Sequence, residues 1–158
     1  MDEIFFFGAY EHALDGQGRV AIPSEWRRRE GETRLILFQG SNSDLLLFPF
    51  ESFRDFLIKA QKISFADPAA QRALQRFGAR ARDCRCDKQG RIRLEKAHLD
   101  AVGITGQVMM VGGVTHIKLC SPKNWNPDLD AGDGDAEIQK INESDNELIK
   151  QLMNHLNG

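Results

Sequence analysis

Asp15-Gly16-Gln17-Gly18-Arg19 is the stretch on which the reading of this 158-residue chain turns, because the chain states it twice. Seventy-two positions later stands Asp87-Lys88-Gln89-Gly90-Arg91, and the agreement extends beyond the motif. At the same offset, without a gap, Val20 meets Ile92, Ile22 meets Leu94 and Gly31 meets Gly103. Ile36 likewise meets Val108, Gly40 meets Gly112, Leu47 meets Leu119 and Phe53 meets Trp125. One register held over about forty residues means two copies of one supersecondary unit.

Each D-x-x-G-R unit is preceded by apolar or strand-like residues and followed by an alternating run, Val20 and Ile22 in the first copy. It therefore reads as a turn joining two strands. Asp bonds its own backbone at the start of such a turn, and Gly supplies a positive φ. Arg then leaves the turn at the root of the next strand. A single copy would read as an ordinary hairpin with a surface arginine. Two copies, each ending in Arg, point to a paired surface that binds an anion.

Working outward, residues 4–10 are apolar and strand-like, with Gly8 breaking the run. Pro23-Ser24 opens a predicted short helix with Ser24 as N-cap and Glu25 in its first turn, carrying Trp26 and Arg27-Arg28-Arg29 up to Gly31. Arg34 to Phe38 and Leu45 to Phe48 read as strands. The first unit thus spans 4–53 in the order strand, turn, strand, short helix, strand, strand. A helical insert follows over 54–79: Phe53, Phe56, Leu57, Ala60 and Ile63 share one helical face, and Asp67-Pro68 caps a second helix that stops at Gly78. The second unit spans 80–125, with strands at Arg82–Asp87, Arg91–Leu94, Val108–Val111 and His116–Cys120. Residues 126–136 read as an acidic flexible linker and 137–158 as a C-terminal helix. The expected fold class is α+β, two tandem strand-turn-strand-helix-strand-strand repeats with a helical insert and a C-terminal helix.

The net charge of −2 conceals a division. Residues 1–125 carry 19 Lys/Arg against 15 Asp/Glu, whereas residues 126–158 carry 2 against 8. A basic body beside an acidic tail points to an anionic partner for the body. No apolar run approaches the roughly 20 residues of a membrane span, so no membrane partner is expected. Three cysteines, an odd number, do not make a disulfide framework, and a reduced, cytoplasmic setting is expected. Cys84 and Cys86 lack the second ligand pair that zinc requires, so they are expected to be free and at least partly buried, with no metal and no cofactor. The scattered His12, His98, His116 and His155 are expected to face solvent. No nucleotide-binding or nucleophile-elbow motif occurs, and neither catalysis nor a small-molecule substrate is expected.

The pattern G-x-Y-x-x-x-L-D-x-x-G-R-V-x-I-P from Gly8 to Pro23, with its echo at Asp87–Ile92 and Val108–Gly112, resembles the MraZ family of bacterial transcriptional regulators. The similarity covers roughly residues 4–125. The resemblance implies an AbrB-like, pseudo-two-fold swapped-hairpin β-barrel with both halves in one chain. It implies a nucleoid-associated repressor of the division and cell-wall gene cluster, whose ring of subunits binds short direct repeats in promoter double-stranded DNA. The turn arginine would be a principal DNA contact. That role falls on Arg19, with Asp15 and Gly18 shaping its loop, and on Arg91, with Asp87 and Gly90. Gln17 stands where the family often carries Lys. Arg27 and Arg28 would thicken the same basic surface. Because Arg27–Arg29 follow the first turn and Glu95 follows the second, Arg19 is expected to outweigh Arg91. The alternative is an interaction protein that assembles a ring without binding DNA.

Overall fold

The structure, a computed structural model, describes residues 3–126, 136 and 138–141. In chain order the elements are β1 (Ala9–Ala13), β2 (Arg19–Ala21), a 3-10 turn (Ser24–Trp26), β3 (Arg34–Gln39) and β4 (Leu45–Pro49). The helices α1 (Phe50–Ala60) and α2 (Pro68–Arg80) follow. Then come β5 (Arg82–Arg85), β6 (Arg91–Arg93), α3 (Lys96–Ala101), β7 (Gln107–Gly112), β8 (Ile117–Cys120) and a 3-10 turn at Pro122–Asn124. The fold is α+β, with an antiparallel six-stranded sheet ordered β1-β7-β8-β4-β3-β5 and a two-stranded ribbon of β2 and β6.

The repeat governs this topology. At the offset of the repeat β1 corresponds to β5, β2 to β6, β3 to β7 and β4 to β8, so exchanging the copies reads the sheet order backwards. The first strand of each copy pairs with the third strand of the other, β1 with β7 and β5 with β3. β4 and β8 join at the centre, and β2 pairs with β6. Neither copy completes a sheet from its own strands, which is how two small units come to share one core.

Alternation along the strands separates two apolar layers. Leu35, Leu37, Leu45, Leu47, Val108, Met110, Ile117 and Leu119 meet Val20, Ile92 and Trp26 in the main core. Leu45–Phe48 is not uniformly buried, as its apolar run alone implies. Phe48 instead stacks on Phe38 at 5.3 Å between ring centroids, in a second cluster completed by Phe53, Phe56 and Phe77 from the two helices.

Several local expectations are corrected. The element after Pro23 is one 3-10 turn, Ser24 makes no side-chain cap bond, and Arg27 is already extended at φ −104°, ψ 150°. Trp26 is its one buried residue, wedged edge-on against Phe6 and Tyr10 with its indole N–H donating to the Phe7 carbonyl at 3.1 Å. The three arginines offer no apolar stripe to carry a helix further. Asp67 caps α2 as expected, accepting from the Ala70 N–H at 3.1 Å, but α2 runs through Gly78 to Arg80. A lone glycine costs a helix only about 1 kcal/mol, and Phe77 anchors this turn in the aromatic cluster. Of the histidines, His98 is buried, its Nε2 lying 3.0 Å from the Arg80 carbonyl oxygen at the end of α2. His116 is half-buried and stacks on Phe48, and burial pushes its pKa below the ordinary histidine value. The expected linker 126–136 and helix 137–158 lie outside the described residues, apart from Asn126 and the helical Ala136 and residues 138–141. His155 lies outside them as well.

Trp26 and Phe65 are opposite cases, the first 1% and the second 93% exposed. Trp26→Ala should cost about 3–5 kcal/mol, whereas Phe65→Ala, which removes no packing within the subunit, should change the stability of the dissociated subunit by no more than about 0.5 kcal/mol. Urea unfolding of the two variants checks both.

Candidate nucleic-acid interface

Both D-x-x-G-R stretches fold into the same turn. In the first, one carboxylate oxygen of Asp15 accepts the backbone N–H of Gln17 at 2.9 Å and of Arg19 at 2.8 Å. The other accepts Nε–H of Arg19 at 2.6 Å. In the second, Asp87 accepts the N–H of Gln89 and of Arg91, each at 2.9 Å, and Nε–H of Arg91 at 3.0 Å. Backbone bonds from Gly18 to the Asp15 carbonyl and from Gly90 to the Asp87 carbonyl close the two turns at 3.1 and 2.9 Å. Gly18 and Gly90 sit at φ +77° and +78°, where a side chain would be strained.

The clamp acts on orientation more than on stability, since an ion pair this exposed contributes little. It ties each arginine through Nε alone. Both terminal nitrogens of Arg19 and Arg91 are left without a protein partner among the described residues. A planar guanidinium fixed in this way can meet a phosphate or a guanine edge with two parallel bonds. The Arg19 backbone N–H, then its side chain and the Gln17 N–H, hold the Asp15 carboxyl down at about 2. The Asp87 carboxyl is lowered for the corresponding reasons, the Arg91 N–H foremost.

The turns stand at opposite ends of the β2–β6 ribbon. Arg19 lies opposite Arg93, Val20 opposite Ile92, and Ala21 opposite Arg91. Two further bonds cross between copies, from the Ile22 N–H to the Gly90 carbonyl at 2.9 Å and from the Leu94 N–H to the Gly18 carbonyl at 2.8 Å. The residues next in sequence after one turn's strand are therefore delivered to the other turn in space. Leu94, Glu95, Lys96, Leu99 and Asp100 line an open cleft of about 740 Å³ with Asp15–Gly18. The Arg27 guanidinium lies directly over Gly90, where an added methyl group would overlap it.

The residues expected at the site thus divide between two places. Asp15, Gln17, Gly18 and Arg19 form one turn, and Asp87, Gly90 and Arg91 form the other. Arg27 joins the second turn, not the first. Arg28 is drawn elsewhere, its N–H to Thr33 Oγ1 at 2.8 Å and its Nη1 3.6 Å from Glu51 of α1. Glu95, expected to weaken the second turn, faces the first and pairs with Arg82 at 2.9 Å. Arg93, expected with Arg82 and Arg85 to thicken the basic surface of the second copy, lies opposite Arg19 of the first turn, and Lys88 is a cation of the second turn that the sequence reading passed over. The repeat offset placed Lys88 in the turn and Arg93 in the following strand but said nothing of which copy pairs with which. None of the three cysteines is in a disulfide, and burial pushes the Cys84 thiol up to about 12 and the Cys86 thiol up to about 11. Among the described residues no group of three or more His, Cys, Asp or Glu could hold a metal ion, and no helix is long and apolar enough to cross a membrane.

Fold and site together define a class: a tandem-repeat α+β protein whose copies exchange strands and each present an arginine clamped by a turn carboxylate. The family model described as "MraZ protein, putative antitoxin-like" matches residues 5–77. The "Transcriptional regulator MraZ" of Herpetosiphon aurantiacus is 33% identical over 126 residues, covering 80% of this chain and 87% of the relative. The proteins of the same name from Corynebacterium jeikeium and Caldicellulosiruptor saccharolyticus are each 30% identical, over 84% and 89% of this chain and 96% of each relative. The chain belongs to the MraZ family.

Gly18→Ala places Cβ 2.6 Å from the Leu94 carbonyl oxygen at positive φ, whereas Cβ at Gly16 meets nothing within 4 Å. The first should lower stability by about 1 kcal/mol or more, and the second should leave it unchanged or raise it by up to about 1 kcal/mol, by thermal melting. With its folded pKa near 2, Asp15 contributes fully above its unfolded value of about 3.9. That contribution is lost as pH falls through the folded pKa. Carboxyl NMR titration should find a midpoint near 2. In Arg19→Ala it should rise yet stay below the ordinary value, because both backbone N–H donors remain.

Proposed function

We propose that this protein is a sequence-specific DNA-binding transcriptional regulator whose clamped turn arginines contact double-stranded DNA. The observation that carries the reading is the repeated clamp, with Nε of Arg19 and Arg91 held and both terminal nitrogens unpartnered among the described residues. The name its relatives carry, transcriptional regulator, supports it. Strand exchange between the copies supports an AbrB-like swapped-hairpin barrel as the architecture of the DNA-binding body. The regulator acts as a repressor of the division and cell-wall gene cluster, at the nucleoid in the cytoplasm, and performs no catalysis.

One turn spans few base pairs, so useful specificity requires several turns at fixed spacing. A homo-oligomeric ring on short direct promoter repeats supplies that spacing through avidity. Exposed apolar side chains at two separate places support self-association: Phe5, Phe7 and Val114 near the N-terminal strand, and Ile58 and Phe65 on the helical insert. Different patches on one subunit suit a head-to-tail contact that closes into a ring.

Fluorescence anisotropy at physiological salt, with duplex from upstream of the protein's own coding region, should show a preference over random duplex of about 10³ or more. Equal affinity for the two would leave a ring-forming interaction protein as the better reading. Light scattering at micromolar concentration should report an oligomer, and Phe65→Asp should reduce its mass. A monomeric wild type would contradict the assembly.

A further inference from the structure

We propose that the two turns are unequal, and that Arg27 makes the Asp87–Arg91 turn the principal phosphate-binding site of the protein's DNA face. The inference rests on the DNA-binding reading and reverses the order expected from the linear sequence.

Positions related by the repeat differ in charge. Gly18 and Gly90 are equivalent, and each lies beneath a residue from the stretch after the other turn's strand. Above Gly18 the nearest side chain is Leu99, with Cδ1 4.0 Å from an ideal Cβ position. Above Gly90 it is the equivalent residue, Arg27, with its guanidinium in close contact. The substitution exchanges a methyl group for a cation at the same place in the same turn.

Neighbouring positions differ in the same sense. Glu95 and Asp100 line the first turn's cleft, and their equivalents are the uncharged Pro23 and the cationic Arg28. Within the turns, Gly16 corresponds to Lys88. Asp15, Glu95 and Asp100 thus stand with Arg19, Arg93 and Lys96 around the first turn, where Glu95 is also paired with Arg82. Asp87 stands with Lys88, Arg91 and Arg27 at the second, where nearby Glu32 is paired with Arg85. Cations without counter-charges are what a polyanion engages.

Arg27 also carries the mark of an incomplete site. Its Nε is buried and has no hydrogen-bond partner. A buried guanidinium N–H without an acceptor is unfavourable, and its neighbour Gly90 presents no side chain to supply one. A phosphate at the second turn would lie in the combined field of Arg27 and Arg91, meeting Arg27 through its terminal nitrogens, since Nε itself is buried. Gly90 thereby has two duties, a φ of +78° and room for the guanidinium.

The test uses the full chain, with upstream and random duplexes titrated over a series of salt concentrations. Arg27→Gln removes the charged guanidinium over Gly90 and keeps a polar side chain on the same backbone. It should weaken binding to both duplexes by roughly tenfold at low salt and reduce the slope of log affinity against log salt by about one. Arg27→Lys should restore the slope. Arg91→Ala should lose more affinity than Arg19→Ala. Arg76→Ala removes the same charge from the exposed side of α2 and should change nothing, which separates a local contact from net charge. Thermal melts identify any variant lost to misfolding, and Arg27→Lys with wild-type melting then carries the comparison by its retained slope. If wild type binds specifically but Arg27→Gln behaves as Arg76→Ala does, or Arg19→Ala is the costlier change, this inference is overturned and the DNA-binding reading stands. A wild type that does not prefer its upstream duplex removes that reading first.

Discussion

The structure depends on the antiparallel pairing of β2 with β6. Each strand has only three residues, so the ribbon is held as much by its ends as by its ladder. Reciprocal bonds from Ile22 to Gly90 and from Leu94 to Gly18 tie each turn to the copy it does not belong to. Val20 and Ile92, paired at the centre and each 1% exposed, anchor the ribbon in the common core. Each turn is shaped by bonds within its own copy, but its attachment to the ribbon depends on the other, because the acceptor glycine and its donor belong to different halves. A rigid connection of this kind lets an exposed arginine carry a defined direction, at little loss of conformational freedom on binding.

Much of the body's positive charge is engaged elsewhere. Arg34 forms a two-pronged pair with Asp83, Arg82 meets Glu95, and Arg85 reaches Glu32 and Asp83. These pairs join β3, β5 and the entry to α3, and they engage Arg34, Arg82 and Arg85 away from the turns. The excess of basic residues is thus a poor guide to where an anion would sit. The helical insert is similarly one-sided: α1 and α2 cover β3 and β4 through the phenylalanine cluster. The outer layer therefore breaks the two-fold relation that the sheet keeps.

Legibility from sequence followed the physics of each feature. The turns could be read because an aspartate, a positive-φ glycine and a fixed spacing are local requirements, and Asp15 and Asp87 meet them within five residues. The strand after each turn could be read from alternation, as with Val20 and Ile22 in the first copy and Ile92 and Leu94 in the second. The crossing came only through the family resemblance, whose swapped hairpins imply it. Nothing in a repeat states whether hairpins pair within a copy or between copies, and that choice moved Arg27 and Glu95 from the turn they follow to the turn they face. The helix drawn through Arg27–Arg29 failed because capping residues mark a beginning, whereas only an apolar stripe sustains the element. His98 was misplaced since a single polar residue carries no periodicity; α3 packs it under the end of α2, where the Arg80 carbonyl meets its ring nitrogen.

In the proposed function a turn carboxylate serves DNA binding by positioning the arginine four residues on. A double-mutant cycle of Asp15→Asn and Arg19→Ala, read as affinity for the upstream duplex, tests it most directly, because Asn keeps an acceptor for the backbone N–H groups and loses the anionic partner of Nε. If Asp15 acts through Arg19, Asp15→Asn weakens binding in the wild-type background and has no further effect once Arg19 is alanine. Losses that simply add, or a gain in affinity from removing the carboxylate's charge, would contradict the account.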